Sequence, residues 1–194
     1  MRQIKINDPS HLFFTSDHHF GHANVIKHCS RPYSSVEEMD TDLIKRWNEK
    51  IPKNGMVIHG GDLSMNLSKG ELYAKYLKHL NGKIIFQVIG NHDRKLENYL
   101  YSNKPKIDSF GDKCLITVKD PGFEYGYKKI VVNHFPELSW YHKEKGAWHV
   151  FGHVHGNLIH PHKNAVDITI DATDYYPISY SELKSKILAR YLAL

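Results

Sequence analysis

Five short apolar segments of this chain each end at a cluster of histidine, aspartate, asparagine or glycine residues. The segments cover residues 12–14, 56–58, 84–89, 130–132 and 150–151. The first four are rich in β-branched or aromatic residues and predict buried strands, whereas the fifth is too short to assign by itself. Because ligand sites in open α/β sheets form beyond the carboxyl ends of the strands, the five clusters can meet at one rim.

The clusters offer oxygen and nitrogen ligands and no thiolate. They are Asp17-His18-His19-Phe20-Gly21-His22, His59-Gly60-Gly61-Asp62, Gly90-Asn91-His92-Asp93-Arg94, Asn133-His134 and Gly152-His153-Val154-His155-Gly156. Such ligands suit Mn, Fe, Zn or Ni. Asp17 and His19 are two residues apart and are expected on one side of an extended segment, because side chains alternate along it. The same holds for His153 and His155. The carboxylate of Asp62 has two oxygens and can bridge two metals.

Serine is followed three residues later by glutamate at residues 35–38, 68–71 and 179–182. This capping-box pattern predicts three helices: one through Trp47, one ending at Asn81-Gly82, and one running to the C-terminal end. A shorter helix is expected over residues 96–101. Turn signals in residues 103–129 predict a hairpin with residues 114–118 as one arm, and alternation predicts a half-exposed strand over residues 166–171. The pattern indicates two packed mixed sheets with helices outside.

The composition is that of a globular protein. Its 194 residues fit one domain, residues 1–194, and 41% of them are apolar. No apolar run approaches the roughly 20 residues of a membrane span, and the first residues lack a signal-peptide pattern. We therefore expect a cytoplasmic protein with no membrane partner and no obligate protein partner. The net charge of +5 mildly favours anionic partners, and 15 histidines are far more than usual.

The five clusters, in this order, resemble the signature of the calcineurin-like metallophosphoesterase superfamily: D-x-H, G-D, G-N-H-[DE], H and G-H-x-H. The resemblance spans Asp17 to His155, and the third and fifth blocks are the most specific. The Arg31-Pro32-Tyr33 and Trp47-Asn48 segments are similar to a small stand-alone branch found in bacteria and phages. Asn133 departs from the glycine or other small residue that is frequent before the fourth block's histidine. The resemblance implies an α/β fold (an α+β sandwich) of two packed mixed β-sheets flanked by helices in four layers.

The resemblance also implies a role for each matched residue. Asp17, His19 and His155 hold one metal ion. Asn91, His134 and His153 hold the second, and Asp62 bridges the two. His92 is then the catalytic histidine, oriented by Asp93. We expect two divalent ions, with Mn²⁺ the first choice and Fe, Zn or Ni as alternatives.

The expected activity is hydrolysis of a phosphate ester, first a phosphodiester, by a hydroxide that bridges two metal ions. A nucleotide or a nucleic acid is among the candidate substrates. His22, Arg31 and Arg94 are candidates for binding the substrate phosphate, although a structural role for either arginine is equally open. The alternatives within the same site are a phosphomonoesterase and a nucleotide pyrophosphohydrolase.

Three other readings are weaker on the sequence. A lactamase-like dinuclear hydrolase carries an H-x-H-x-D-H run, which is absent here. A non-catalytic metal-binding scaffold normally lacks a ligand or the catalytic histidine, yet every position is filled here. A nucleic-acid-binding module is suggested by the basic charge, but the chain has no helix-turn-helix, zinc finger or RNA-recognition motif.

Overall fold

The computed structural model describes residues 1–65, 73–93, 107–109 and 111–192. Ten strands lie in this part of the chain: β1 (Arg2–Ile6), β2 (Leu12–Thr15), β3 (Met56–His59), β4 (Ile84–Gln87), β5 (Ile107–Ser109), β6 (Lys113–Lys119), β7 (Tyr127–Asn133), β8 (Trp148–Phe151), β9 (Ala165–Asp167) and β10 (Ile178–Ser179). Its α-helices are α1 (Ala23–His28), α2 (Val36–Lys50) and α3 (Tyr180–Leu192). A π-helical turn covers Tyr73–Leu77, and 3₁₀ turns cover Lys143–Lys145 and Ile170–Ala172.

The strands form two mixed five-stranded sheets. Sheet I has the order β10-β2-β3-β4-β5, in which β2 to β5 are parallel and β10 is antiparallel to β2. Sheet II has the order β1-β6-β7-β8-β9, in which β6 and β7 form an antiparallel hairpin and the other pairs are parallel. The hairpin predicted around residues 114–118 is therefore confirmed, as is the fold class of two mixed sheets with helices outside.

Side-chain alternation divides the apolar residues between the layers. Phe14 and Ile58 of sheet I and Ile130 and Val150 of sheet II are fully buried in one cluster between the sheets. The neighbouring Phe13 points the other way, into a second cluster that includes α2. A third cluster covers the outer face of sheet II. Each sheet thus buries both faces, which explains why its central strands read as continuous apolar runs.

The first and last capping boxes open helices as predicted. The Ser35 hydroxyl accepts the backbone N–H of Glu38 at 3.1 Å, and α2 buries Met39, Leu43 and Trp47. At the start of α3, the backbone N–H of Ser179 donates to the Glu182 carboxylate, and the backbone N–H of Glu182 donates to the Ser179 hydroxyl.

Several predicted elements differ from the observed ones. The strand predicted over residues 166–171 ends at Asp167 and is followed by a 3₁₀ turn. The chain leaves sheet II there because Thr169 forms an isolated β-bridge with Ser16, in the loop after β2 of sheet I. The helix predicted to end at Asn81-Gly82 is represented by the π-helical turn over residues 73–77. The predicted start of that helix lies outside the described residues. The helix predicted over 96–101 also lies outside them. Among the described helices, none has the length and apolarity to cross a membrane.

Candidate metal centre

The loops after β2, β3 and β4 of sheet I meet the loops after β7 and β8 of sheet II at one rim. These five loops carry the seven side chains predicted as metal ligands: Asp17, His19, Asp62, Asn91, His134, His153 and His155. All seven side chains take part in the contacts described below, so the structure brings the predicted set together.

Asp17, His19 and His155 form the first group. The Asp17 Oδ1 lies 3.6 Å from His155 Nε2 and 3.8 Å from His19 Nε2. One ligand atom from each of the three residues lies within 4.8 Å of the others. Burial acts to raise the pKa of Asp17, but the surrounding histidines outweigh burial and lower the pKa. Asp17 is therefore an anion held out of contact with solvent.

Asn91, His134 and His153 form the second group. The Asn91 Oδ1 lies 2.9 Å from His134 Nε2 and 3.0 Å from His153 Nδ1. The other ring nitrogen of His134 lies 3.0 Å from the Gly60 carbonyl oxygen, so Nδ1 carries the proton and donates it there. The Nε2 lone pair of His134 is left facing the centre, as a metal ligand requires.

Asp62 lies between the two groups. Its Oδ2 is 3.6 Å from His19 Nε2 and 3.4 Å from His134 Nε2, so one oxygen adjoins both. Burial, together with the nearby carboxylates of Asp17 and Asp93, raises the pKa of Asp62 to about 8. Buried carboxylates that repel each other are stabilised by a bound cation.

His19 gives a direct test of whether these residues fit a metal ion. Its Nε2 is buried and has no hydrogen-bond partner among the described residues. Burial lowers the pKa of His19 to about 4, so the ring is neutral at pH 7. A buried neutral imidazole nitrogen beside two carboxylates is a suitable ligand for a divalent ion, and a metal would remove the cost of leaving it unpaired.

The backbone conformation of the ligand loops corrects the expectation of extended segments. Asp17, His19, Asp62, His153 and His155 all have left-handed φ values between 48° and 71°. Non-glycine residues rarely adopt this conformation, which clusters at functional sites. The side chains of each pair therefore converge because the loops coil back, and not because a straight strand alternates.

Two glycines permit the close approach of these loops. A Cβ on Gly90 would lie 2.1 Å from Asp62 Oδ1, and a Cβ on Gly152 would lie 2.2 Å from Asp17 Oδ2. The Gly152 position also allows the next backbone N–H, that of His153, to donate to Asp17 at 3.1 Å. Any side chain at either glycine would displace a carboxylate of the centre.

Arg31 is buried beneath the centre and binds residues that support the ligands, which corrects its predicted role in substrate binding. Only 3% of Arg31 is exposed. Its Nε and Nη2 donate to the two carboxylate oxygens of Asp171 at 2.9 and 2.8 Å. Its Nη1 and Nη2 also donate to the backbone carbonyl oxygens of His18 and Asp17. A guanidinium occupied in this way is not available to a substrate phosphate.

Asp171 is a site residue that the sequence did not reveal. Its Oδ2 accepts a hydrogen bond from His155 Nδ1 at 2.6 Å. Burial acts to lower the pKa of His155, but this bond, a hydrogen bond with Cys29 and the charges of Asp17 and Asp171 together outweigh burial and raise the pKa to about 10. A carboxylate behind a metal-binding histidine fixes its tautomer and ring orientation. Alternation with Ile168 and Ile170 was the available signal, but it indicated only a strand.

Asp93 fixes two loops and does not orient the imidazole of His92 directly, which corrects the expectation for this pair. Its carboxylate accepts hydrogen bonds from the backbone N–H groups of Asp62 and Gly90 at 2.6 and 2.9 Å, and from Gln87 Nε2 at 2.8 Å. Its bonds therefore join the loop after β3 to the loop after β4. Burial raises the pKa of Asp93, although these donors oppose the rise.

His92 and His22 lie at the open side of the centre. The backbone N–H of His92 donates to Asp62 Oδ1 at 2.9 Å, and its Nε2 lies 4.0 Å from Asp62 Oδ2. Burial lowers the pKa of His92, which remains partly exposed. The His22 ring lies 5.8 Å from the His92 ring and is also partly exposed. Arg94, the other predicted phosphate-binding residue, lies outside the described residues.

His18 and His59 form a buried pair that faces away from the centre. Gly61 donates its backbone N–H to His59 Nδ1 at 3.2 Å, so the His59 proton is on Nε2 and is directed at His18 Nδ1, 3.0 Å away. Burial lowers the pKa of both rings. The pair packs against Trp47 as part of the core.

Comparison with known proteins identifies relatives over most of the chain. No protein-family model matches it. The Gene 66 protein of Mycobacterium phage L5 is 26% identical over 183 residues, covering 84% of this chain and 87% of that protein. The crystal structure of the protein of unknown function AQ665 from Aquifex aeolicus has a similar fold, with a TM-score of 0.64 and 20% identity over 90% of this chain and 97% of that one.

The uncharacterized protein MJ1445 of Methanocaldococcus jannaschii is 33% identical over 174 residues. The alignment covers 87% of this chain and 86% of that protein. The chain therefore belongs to the same protein family as MJ1445.

Proposed function

We propose that this protein is a dinuclear metal-dependent phosphoesterase of the calcineurin-like type. The observation that carries the proposal is the position of Asp62 Oδ2, within 3.6 Å of ligand nitrogens from both groups. Five loops of two sheets supply the surrounding side chains, and the buried Nε2 of His19 lacks a partner among the described residues. Nitrogen and oxygen ligands without a thiolate suit two divalent ions, with Mn²⁺ the first to test and Fe, Zn or Ni as alternatives.

In this proposal the two groups of side chains hold one ion each. Asp17, His19 and His155 would hold the first, and Asp62 would bridge to the second. The remaining ligands of the second ion would be Asn91, His134 and His153. Two bound ions would neutralise the phosphoryl oxygens of a substrate and lower the pKa of bound water.

The remaining chemistry belongs to His92. Its Nε2 faces Asp62 from the open side of the centre, where a leaving oxygen can approach. As the oxygen of a water molecule bonds to phosphorus, the bond from phosphorus to the leaving oxygen would break, and the proton on His92 Nε2 would be transferred to that leaving oxygen. Partly exposed His22 stands beside His92 and would contact a phosphoryl oxygen. Arg31 is buried and would instead help to position the ligands.

The decisive experiment compares a phosphodiester with the matching phosphomonoester. The protein is stripped of metal, and hydrolysis of bis(4-nitrophenyl) phosphate and 4-nitrophenyl phosphate is measured with and without added Mn²⁺. We expect metal-dependent turnover with the diester preferred. Preferred monoester turnover would make the protein a phosphatase with the same site. Two bound metals without turnover of either substrate, or of a dinucleoside polyphosphate, would favour a non-catalytic scaffold.

Two further predictions still rest on the sequence. They are a single domain over residues 1–194 and a cytoplasmic location.

A further inference from the structure

Phe135 presents an exposed aromatic ring beside the candidate metal centre. It follows His134 directly, and 46% of its surface is exposed. Its ring centroid lies 4.9 Å from the ring of His134 and 4.6 Å from the ring of His153. Both histidines belong to the second ligand group. Phe135 therefore adjoins the side chains beside which a metal-bound phosphoryl group would lie.

The loop that carries this ring is held rigidly on its far side by Glu137. The backbone N–H of Glu137 donates to His149 Nε2 at 3.1 Å, and its carbonyl oxygen accepts from His160 Nε2 at 3.0 Å. Its carboxylate accepts from Asn133 Nδ2 at 2.8 Å. Since His149 and His160 are themselves buried, the exposure of the ring does not result from a loose loop.

A rigid exposed aromatic ring is an efficient contact surface because little conformational entropy is lost when a ligand covers it. Planar rings stack on aromatic side chains with centroids about 4.5–7 Å apart. The rings that contact Phe135 at the centre are the imidazoles of His134 and His153, so a planar base with polar edges can be accommodated beside it. The exposed face of Phe135 has no hydrogen-bonding group, so it would accept any base.

We infer that the substrates of this centre are nucleoside phosphates whose base stacks on Phe135, without selection among bases by this ring. The inference rests on the proposed function, because it assumes that the phosphate is held by the metal centre. Within it, Phe135 is a specificity-determining residue: it contacts the base and takes no part in proton transfer.

The test compares two ligands that differ only in the base. Adenosine 5′-monophosphate and ribose 5-phosphate are titrated by calorimetry into Mn²⁺-loaded wild-type protein and the Phe135→Ala variant. We expect wild type to bind the nucleotide more tightly, and the variant to lose ~5–140-fold in nucleotide affinity while its affinity for ribose 5-phosphate changes less than about twofold. This range corresponds to ~1–3 kcal/mol for one base–aromatic contact at ~1.4 kcal/mol per tenfold.

Two further variants separate stacking from folding. Phe135→Trp is expected to restore nucleotide affinity, whereas Phe135→Leu, which is apolar but has no ring face, is not. The matched control is Tyr125→Ala, which removes a ring that is 72% exposed and lies before the opposite end of β7. The inference would be overturned if wild type bound the two ligands with equal affinity, or if Phe135→Ala lost affinity equally for both. Neither result would bear on the proposed function, which the diester hydrolysis experiment tests separately.

Discussion

At the scale of single residues, the centre depends on buried charged side chains and on left-handed backbone conformations that non-glycine residues rarely adopt. Five of the seven candidate ligands have left-handed backbones, at a cost of order 1–3 kcal/mol each. Surrounding hydrogen bonds hold them there; for example, the backbone N–H of Asp17 donates to the Gly61 carbonyl at 3.0 Å and that of His19 to the Asp62 carbonyl at 3.1 Å. The ligand geometry is therefore supported by hydrogen bonds within the protein itself.

His92 is the residue for which ligand and catalytic roles can be separated by experiment. We expect His92→Ala to retain both Mn²⁺ ions and to lose ~10²–10⁴-fold in turnover of a phosphodiester, which is the usual contribution of a general acid. Metal content is measured by elemental analysis alongside kcat, with exposed His28→Ala as the control. Loss of an ion together with activity would make His92 a ligand, an arrangement in which it would share that ion with His19 and Asp62.

Arg31 is expected to support metal binding through Asp171. Arg31→Ala leaves the Asp171 carboxylate and two backbone carbonyls buried without their donor. We expect a loss of ~3–5 kcal/mol in the free energy of unfolding and ~10–100-fold weaker Mn²⁺ binding, as for other partners of metal ligands. Urea unfolding and calorimetric Mn²⁺ titration measure the two effects. A variant with normal stability and metal affinity but a raised KM would return Arg31 to substrate binding.

At the scale of elements, α3 is connected to the β6–β7 hairpin by Asp120. The carboxylate of Asp120 accepts from Tyr180 Oη at 2.8 Å and Lys184 Nζ at 2.7 Å, both on α3. It also accepts the backbone N–H of Gly122 within the hairpin turn at 2.9 Å. Burial acts to raise the pKa of Asp120, but these donors outweigh burial and lower it below 3.8.

This connection gives a pH-dependent contribution to stability. A folded-state pKa that is lowered adds stability above the ordinary pKa of 3.8, and the contribution is lost as pH falls through the lower folded-state pKa. Asp120→Asn should therefore have a lower free energy of unfolding than wild type at pH 7, with a difference that shrinks below pH ~4. Urea unfolding at pH 7 and pH 3.5 measures this, with exposed Asp112→Asn as control. A difference independent of pH would contradict the prediction.

At the scale of the whole molecule, the centre joins the two sheets. Sheet I supplies Asp17, Asp62 and Asn91 through its strand-end loops, and sheet II supplies His134 and His155. An ion that binds these side chains binds only when the sheets are packed together. Metal binding is therefore linked to folding of both sheets.

Mn²⁺ should accordingly raise the melting temperature. At free Mn²⁺ of 100 times Kd the stabilisation is ~2.7 kcal/mol, which corresponds to a rise of ~5–11 °C for a chain of this size. Calorimetric scans with chelator and with increasing Mn²⁺ measure the shift. Asp62→Asn should lose most of it, yet melt no lower than wild type in chelator, because it removes a buried carboxylate with a raised pKa. An identical melting temperature with and without Mn²⁺ would refute metal binding at this centre.

The sequence by itself determined the elements whose cause is local. Ser35 and Glu38 interact across three residues, so the start of α2 is readable from the chain alone. The apolar runs of the buried strands are equally direct, since burial on both faces favours apolar side chains at successive positions. The ligand clusters could be located because each directly follows such a run. Strands β1, β5 and β10 have no comparable apolar runs and were not predicted.

Only the tertiary structure decided what holds those ligands. Arg31 and Asp171 are 140 residues apart, and nothing in the sequence around either residue indicates that the two form a pair. Asp93 was expected to serve its neighbour His92, yet its hydrogen bonds cross to a loop 31 residues away. The same is true of the loop of Phe135, where Glu137 forms hydrogen bonds with the distant His149 and His160. Hydrogen bonds between neighbours in sequence leave a pattern that can be read, whereas bonds between distant segments form only after the sheets have packed.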